Sequence, residues 1–173
     1  MTKKRIKEYA IFIFLCAFFV AMMSNVCAQT KKLNAEQAAK TRAKLIEYSR
    51  DYLGCPYRSG SIGPATFDCS GFVYSMFRES VGIQLPRKAS AIYSKSKKIS
   101  DDEREAGDLV FFSAGSSVNH VGIYLGGGMF IHSASDGSKT GVIESSLSER
   151  YWKNHYTGAG RYIDSAEIPL QKK

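Results

Sequence analysis

The stretch that most constrains this chain is Phe67-Asp68-Cys69-Ser70-Gly71-Phe72-Val73, where a loop rich in Gly and Pro gives way to a helix. Apolar residues recur at helical spacing from Cys69 until Gly82, which favours a helix that ends there. Asp68 is a suitable N-cap, because its carboxylate can accept a hydrogen bond from an amide of the first turn. Cys69 then lies in that first turn, where the positive end of the helix dipole favours thiolate over thiol. The sequence therefore predicts Cys69 as a nucleophile.

Residues 1–28 have the three parts of a secretory signal peptide. A basic start at residues 3–7 precedes an uncharged apolar run at residues 10–23, and Val26-Cys27-Ala28 supplies the small residues of a cleavage site. The apolar run is shorter than the roughly 20 residues of a spanning helix. We expect cleavage after Ala28 and export to the periplasm, cell envelope or medium, with no membrane span in the mature form. Lipidation at Cys27 is the alternative, but the residues before it lack the usual lipoprotein pattern.

The mature chain, Gln29 to Lys173, is long enough for one domain with its own core. The whole chain has a formal net charge of +8, of which the leader contributes +3, so the mature chain carries +5. Its basic residues are scattered apart from Lys95, Lys97 and Lys98. This charge suits an anionic cell envelope and does not indicate nucleic acid as a partner. We expect a monomer.

Helical patterns come first in the mature chain and strand patterns follow. A capping-box sequence, Asn34-Ala35-Glu36-Gln37, predicts a helix that runs to about Leu53, and a short polar helix is predicted at about residues 88–95. Strands are predicted at residues 108–112, 120–125, 129–134, 141–146 and 158–163. Helices followed by antiparallel strands predict an α+β fold, with N-terminal helices packed on a C-terminal antiparallel sheet. Residues 164–173 are expected to form a loose tail.

Two histidines fall on one predicted hairpin. With a three-residue turn at residues 126–128, Leu125 faces Met129, and His132 is then opposite Gly122 and diagonal to His120 on the same face. A two-residue turn would place the histidines on opposite faces. A thiol, an imidazole that takes its proton and a second group that orients this imidazole are the parts of an activated nucleophile.

Other interpretations of these residues were weighed. Exported proteins often form disulfides, so Cys55 could pair with Cys69, but a domain with a real core needs no such bond and Cys55 is read as an incidental free thiol. Cys69, His120 and His132 could be three zinc ligands, although the chain lacks a closely spaced Cys or His pair. We expect neither metal nor cofactor. His155 is read as a structural residue.

Several motifs occur together in a recognisable order. They are Gly54-Cys55-Pro56-Tyr57 with Gly60, Asp68-Cys69-Ser70-Gly71, Leu85-Pro86-Arg87, Gly107 to Phe112, His120 to Tyr124, and Phe130-Ile131-His132. In this order they resemble the motifs of the NlpC-type cell-wall cysteine peptidases, compact relatives of the papain fold. The resemblance covers residues 46–163, which it implies are the catalytic domain, and leaves residues 29–45 as a lead-in containing the start of the first helix.

The resemblance implies a cysteine endopeptidase that hydrolyses amide bonds in peptidoglycan stem peptides or muropeptides, typically between D-glutamate and a diamino acid. It also implies a role for each matching residue: Cys69 as nucleophile, His120 as base, His132 as the group that orients it, Tyr57 as a donor to the oxyanion, and Asp68 and Ser70 as residues that flank the substrate. An N-acetylmuramoyl amidase on the same fold and a non-catalytic wall-binding module remain as alternatives.

Overall fold

The structure, a computed structural model, describes residues 22–23, 34–135 and 140–164. The predicted signal peptide and its cleavage site lie outside these residues apart from residues 22 and 23, and the predicted tail lies outside them apart from Asp164. Within the described part of the chain, no helix combines the length and the apolar character that crossing a membrane requires.

The helices between residues 34 and 164 largely follow the sequence pattern. Helix α1 includes residues 34–50 and gives way to turns three residues earlier than expected. Helix α2 spans Cys69–Met76 and continues as a π-helical turn, Phe77–Val81, which ends at Gly82 in the left-handed conformation that glycine readily adopts. Helix α3 spans Ala89–Lys95. Helix α4, Arg150–His155, was not predicted.

Six strands form one antiparallel sheet with the order β1-β6-β2-β3-β4-β5. Their bounds are β1 Lys97–Ile99, β2 Leu109–Phe112, β3 His120–Gly126, β4 Met129–Ala134, β5 Gly141–Ser146 and β6 Tyr156–Arg161. Helices beside an antiparallel sheet confirm the predicted α+β, papain-like class. Strand β1 was not predicted.

Strand β6 begins and ends two residues earlier than the sequence suggested. The two residues that follow it leave the sheet and bind elsewhere: the Tyr162 hydroxyl donates to the carbonyl of Ile92 at 2.8 Å, and Arg42 of α1 donates to the carbonyl of Ile163 at 2.6 Å. These contacts tie the end of the described chain to α3 and α1 rather than to a neighbouring strand.

Both faces of the sheet are covered, which explains why all four residues of β2 are buried. The larger cluster lies on the face shared with α2 and includes Phe72, Val121 and Ile123. A smaller aromatic cluster lies on the opposite face, around Phe112 and Phe130. The first residue of α2 lies near the first residue of β3. The face of β3 turned away from α2 carries side chains of the aromatic cluster.

The β3–β4 hairpin has the register that the sequence predicts over its paired part. Ile123 pairs with Ile131 and Tyr124 pairs with Phe130. The prediction is wrong at the turn, where Met129 pairs with Gly126 instead of Leu125 and the register shifts by one residue. The backbone is left-handed at Gly126, Gly127 and Gly128, so the chain can close this turn with a bulge and keep the register beyond it.

Gly122 provides a test of the hairpin packing. A Cβ at this position would lie 2.6 Å from Cδ2 of Phe130 and 3.2 Å from Cβ of His132. Gly122→Ala should therefore lower the free energy of unfolding by about 1–3 kcal/mol through overpacking, measured by urea denaturation. Gly115→Ala is the matched control, because a Cβ there meets no atom within 4 Å. Equal stabilities of the two variants would contradict this account of the hairpin.

Candidate active site

Cys69 is the first residue of α2 and is held there by the side chain of Asp68. The Asp68 carboxylate accepts a hydrogen bond from the amide of Gly71 at 2.6 Å, as expected for the N-cap. The Cys69 Sγ lies 3.7 Å from the carbonyl oxygen of Asn119, the residue that precedes β3. The helix start therefore brings the thiol to the end of β3 that carries His120.

The two histidines of the hairpin are joined directly. His120 Nε2 lies 2.9 Å from His132 Nδ1, which confirms that both side chains share one face of the sheet. His132 Nε2 lies 3.1 Å from Oγ of Ser145 on β5. His132 and Ser145 are both buried. Sequence reasoning missed Ser145, because the pairing of β4 with β5 that brings it beside His132 depends on tertiary structure.

Aromatic rings enclose this pair of imidazoles. The Trp152 ring of α4 has its centroid 5.0 Å from that of His120 and 4.7 Å from that of His132. The Phe112 ring also packs on His120, with centroids 5.9 Å apart. Burial lowers the pKa of His120 to about 4, and burial together with His120 lowers the pKa of His132 well below its ordinary value. Both imidazoles are therefore neutral at neutral pH.

Neutral imidazoles constrain the direction of the hydrogen bonds, since each has one donor and one acceptor nitrogen. If His120 Nε2 donates to His132 Nδ1, then His132 Nε2 donates to Ser145 Oγ. This arrangement leaves His120 Nδ1 without a proton and available to accept one. The reverse arrangement would place a proton on Nδ1 and remove that capacity. His120 can therefore act as a base only when Ser145 Oγ accepts the hydrogen bond from His132 Nε2.

The thiol of Cys69 differs from the sequence expectation in its ionisation. Burial and then the neighbouring Asp68 carboxylate raise its pKa, and the backbone amides of Ser70, Val121 and Cys69 oppose this effect without reversing it. The helix dipole alone therefore does not produce a resting thiolate. A neutral thiol near a neutral imidazole is the resting state that these directions support.

Cys55 and Cys69 are both free thiols, so the alternative of a disulfide is not realised. The Cys55 Sγ lies 3.3 Å from the carbonyl oxygen of Pro64, within its own loop. This placement agrees with the reading of Cys55 as a thiol outside the reacting group.

Asp68 and Ser70, the two neighbours of Cys69 in the chain, form a polar cluster with Arg87. Both residues are only 8% exposed. Arg87 donates to Asp68 through both terminal nitrogens, with one Nη1–Oδ1 distance of 3.0 Å, and Nη1 also donates to Ser70 Oγ at 2.9 Å. Neither Asp68 nor Ser70 lines the cleft described next. Their predicted contact with substrate stays a prediction.

A cleft of about 740 Å³ opens over Cys69 and His120. Tyr57 lines it and is held beside the helix start, because its backbone forms a bridge with Phe67. Further lining residues come from β5, from α4 and from the residue before α4; they are Glu144, Ser145, Glu149, Tyr151, Trp152 and His155. His155, read as structural from the sequence, thus lies at the cleft, with Nδ1 2.7 Å from the carbonyl oxygen of Tyr151.

The zinc alternative does not fit this geometry. One nitrogen of His120 and one of His132 face each other, and the remaining nitrogen of His132 faces Ser145. Three ligands directed at one point, as a zinc ion requires, are therefore not available from Cys69 and these two histidines. Over residues 34–135 and 140–164, no group of three or more His, Cys, Asp and Glu side chains is placed to hold a metal ion.

Known proteins resemble the chain over the region that contains this site. The profile of the NlpC/P60 family matches residues 54–161. A protein of Escherichia coli K12 named murein DD-endopeptidase MepS/murein LD-carboxypeptidase is 38% identical over 130 residues, which cover 75% of this chain and 68% of the relative. The E. coli murein DD-endopeptidase MepH is 39% identical over 146 residues, covering 81% of this chain and 52% of MepH.

Solved structures give the same result. An NLP/P60 family protein of Staphylococcus aureus has a TM-score of 0.64 and 38% identity, over 72% of this chain and 42% of the other. The peptidoglycan hydrolase RipB of Mycobacterium tuberculosis has a TM-score of 0.62 and 27% identity, over 75% of this chain and 68% of the other. This chain thus spans less than half of the S. aureus protein and about two thirds of RipB. Sequence motifs, fold and profile agree, and the chain belongs to the NlpC/P60 family.

Proposed function

We propose that this chain is a peptidoglycan hydrolase, a cysteine endopeptidase that cleaves amide bonds in peptide stems by way of a thioester. The observation that carries the proposal is that Cys69 and His120 line one open cleft, while hydrogen bonds link His120 to His132 and His132 to Ser145. The named activities of the E. coli relatives support the substrate class.

The first half of the reaction forms the acyl-enzyme. The Cys69 thiol gives its proton to His120 Nδ1 as its sulfur attacks the amide carbonyl carbon. His132 holds the base in the productive tautomer through its 2.9 Å hydrogen bond. The negative charge that develops on the carbonyl oxygen is stabilised by the backbone amide of Cys69 and by the hydroxyl of Tyr57. His120 then delivers its proton to the leaving nitrogen, the C–N bond breaks, and the amine departs.

The second half restores the enzyme. His120, neutral again, takes a proton from a water molecule, whose oxygen attacks the thioester carbonyl carbon. The C–S bond breaks, the acid product leaves, and the proton returns to the sulfur. Atoms and charges balance with water as the co-substrate, and the residues already named supply each proton transfer.

Two bonds in peptidoglycan are the main candidates. The sequence resemblance favours the bond between D-glutamate and a diamino acid, whereas the E. coli relatives are named DD-endopeptidases, which favours a bond between two D-configured residues. Digesting purified, cross-linked muropeptides and weighing the fragments distinguishes these bonds. The same masses identify an N-acetylmuramoyl amidase, because that enzyme would release the whole stem from the sugar. Action in the cell envelope after export is part of this proposal.

Cys69→Ala should abolish hydrolysis of muropeptides, because the variant lacks the atom that forms the thioester, while the midpoint of thermal unfolding should change little. Cys55→Ser is the matched control and should keep its activity, since the Cys55 thiol faces its own loop. Retained turnover by folded Cys69→Ala would overturn the proposed chemistry. If the wild-type chain cleaves nothing and Cys69→Ala binds isolated cell walls as well as the wild type does, the wall-binding module would be favoured.

The two histidines should respond differently to substitution. His120→Asn should lose nearly all activity, because general base catalysis typically contributes about 10²–10⁴-fold. His132→Asn and His132→Gln should keep measurable activity, since an amide can still accept from His120, and His132→Ala should keep far less. Steady-state rates on a stem peptide, with folding followed by circular dichroism, decide between these outcomes. An active His120→Asn beside an inactive His132→Asn would require the two roles to be exchanged.

The dependence of kcat/KM on pH reports the resting state of the pair. Because burial lowers the pKa of His120 to about 4, this base stays neutral above that pH, and the acid limb should lie near pH 4 rather than near 6.5. Because the pKa of Cys69 is raised, the free enzyme should show no thiolate absorbance at neutral pH. A strong thiolate absorbance at pH 7 would instead indicate a resting ion pair of Cys69 with protonated His120.

A further inference from the structure

The Leu85-Pro86-Arg87 motif has no role in the mechanism above, yet Arg87 contacts the residues on both sides of the nucleophile. Its Nη1 donates to Asp68 Oδ1 at 3.0 Å and to Ser70 Oγ at 2.9 Å, and its Nη2 donates to Asp68 Oδ2. The planar guanidinium thus holds the Asp68 carboxylate in the two-bond geometry that arginine forms particularly well. The same carboxylate is the cap of the helix that begins at Cys69.

A buried carboxylate directly before a nucleophilic cysteine has an electrostatic cost for the reaction. Asp68 is 8% exposed, and its negative charge opposes formation of a thiolate at Cys69. Asp68 accepts hydrogen bonds from the Gly71 amide and from Arg87, and these contacts favour its ionised form. Although its burial acts in the other direction, the hydrogen bonds from Arg87 and the Gly71 amide hold the pKa of Asp68 below its ordinary value.

Arg87 supplies the charge that offsets this cost. The hydrogen bond with Asp68 is the largest cause that raises the pKa of Arg87, and attraction to the Cys69 thiolate is a further one. Attraction between two groups acts on both, so the guanidinium that gains from a thiolate also stabilises that thiolate. Arg87 thus reduces the effect of the Asp68 charge on the thiol, compared with an unpaired carboxylate.

We propose that Arg87 is a positioning residue for the nucleophile, which fixes Asp68 as the cap of α2 and cancels its charge so that Cys69 can give up its proton at neutral pH. The inference rests on the proposed role of Cys69. Its test reads the thiol directly and needs no substrate, so a failure of the proposed peptidase activity would be seen separately, in the muropeptide digestion.

The test measures the rate of Cys69 alkylation by iodoacetamide between pH 5 and 10 in the Cys55→Ser background. Arg87→Gln should move the midpoint of the rate curve to higher pH and slow alkylation at pH 7 roughly tenfold or more. The reason is that loss of a neighbouring positive charge raises the pKa of a thiol by about one or more. Asp68→Asn should move the midpoint to lower pH, since asparagine still caps the helix. The double variant Arg87→Gln/Asp68→Asn should return close to the parent value.

The rescue separates charge compensation from a merely structural role. If Arg87 only braces the fold, the midpoint of the single variant Arg87→Gln should coincide with the parent's, and the double variant should be no more reactive than Arg87→Gln. Arg58→Gln is the matched control, because it removes an exposed arginine of the preceding loop and should leave the curve unchanged. The other titratable groups of the cleft are unchanged in every variant; they are Tyr57, His120 of β3, Glu144 of β5, Glu149 before α4, and Tyr151 and His155 of α4.

Folding is checked by circular dichroism and thermal unfolding for each variant. If Arg87→Gln fails to fold, Arg87→Lys and Asp68→Asn still decide the question. Arg87→Lys should shift the midpoint less than the loss of charge would, because it keeps the charge without the planar fork. An unchanged or raised midpoint in Asp68→Asn would overturn the proposal, since the carboxylate would then not restrain the thiol.

Discussion

The site depends on the way one helix end meets one strand end. Helix α2 buries Phe72, Val73 and Met76 against the sheet, and this packing fixes the position of its first residue relative to the strands. Cys69 consequently lies beside Asn119, where β3 begins, and His120 follows at once. A rotation of α2 by one residue would turn the thiol away by about 100°, the angle between successive residues of an α-helix. The same buried surface that stabilises the domain therefore places Cys69 beside the start of β3.

The ionisable groups on the two sides of the Cys69 thiol have different surroundings. On the side of the sheet, burial among aromatic rings lowers the pKa of His120 and of His132 and so disfavours their protonation. On the side of the helix, polar groups are retained and satisfied, with Asp68 held by Arg87 and the Gly71 amide. An apolar shell thus surrounds the two imidazoles, whereas a paired carboxylate lies behind Cys69.

Sequence reasoning succeeded where local patterns control the structure. The apolar spacing after Cys69 and the alternation in β3 and β4 are short-range signals, and they located α2 and the paired register of the hairpin. Helix α4 was missed because its six residues are polar or aromatic and carry no capping signal. Strand β1 was missed because it has three residues, two of them lysines.

The parts of the site that sequence reasoning missed have one physical cause. Ser145 contacts His132 across a strand pairing, and Arg87 contacts Asp68, which lies 19 positions earlier in the sequence. Neither contact has a local signature, since a serine in a strand and an arginine after a proline fit many environments. The turn at residues 126–128 was located from the sequence. Its bulge was missed, because the sequence does not show that Met129 pairs with Gly126.

Helix α4 gives the domain an unequal distribution of stability. It has no fully buried residue and no side-chain cap at Glu149, yet it carries the Trp152 ring that covers both imidazoles. Short segments of this kind open locally at a lower free energy than the domain unfolds. Water would then reach His120 while the sheet and α2 remain intact. We therefore expect heating to reduce activity before the core unfolds, and cooling to restore it.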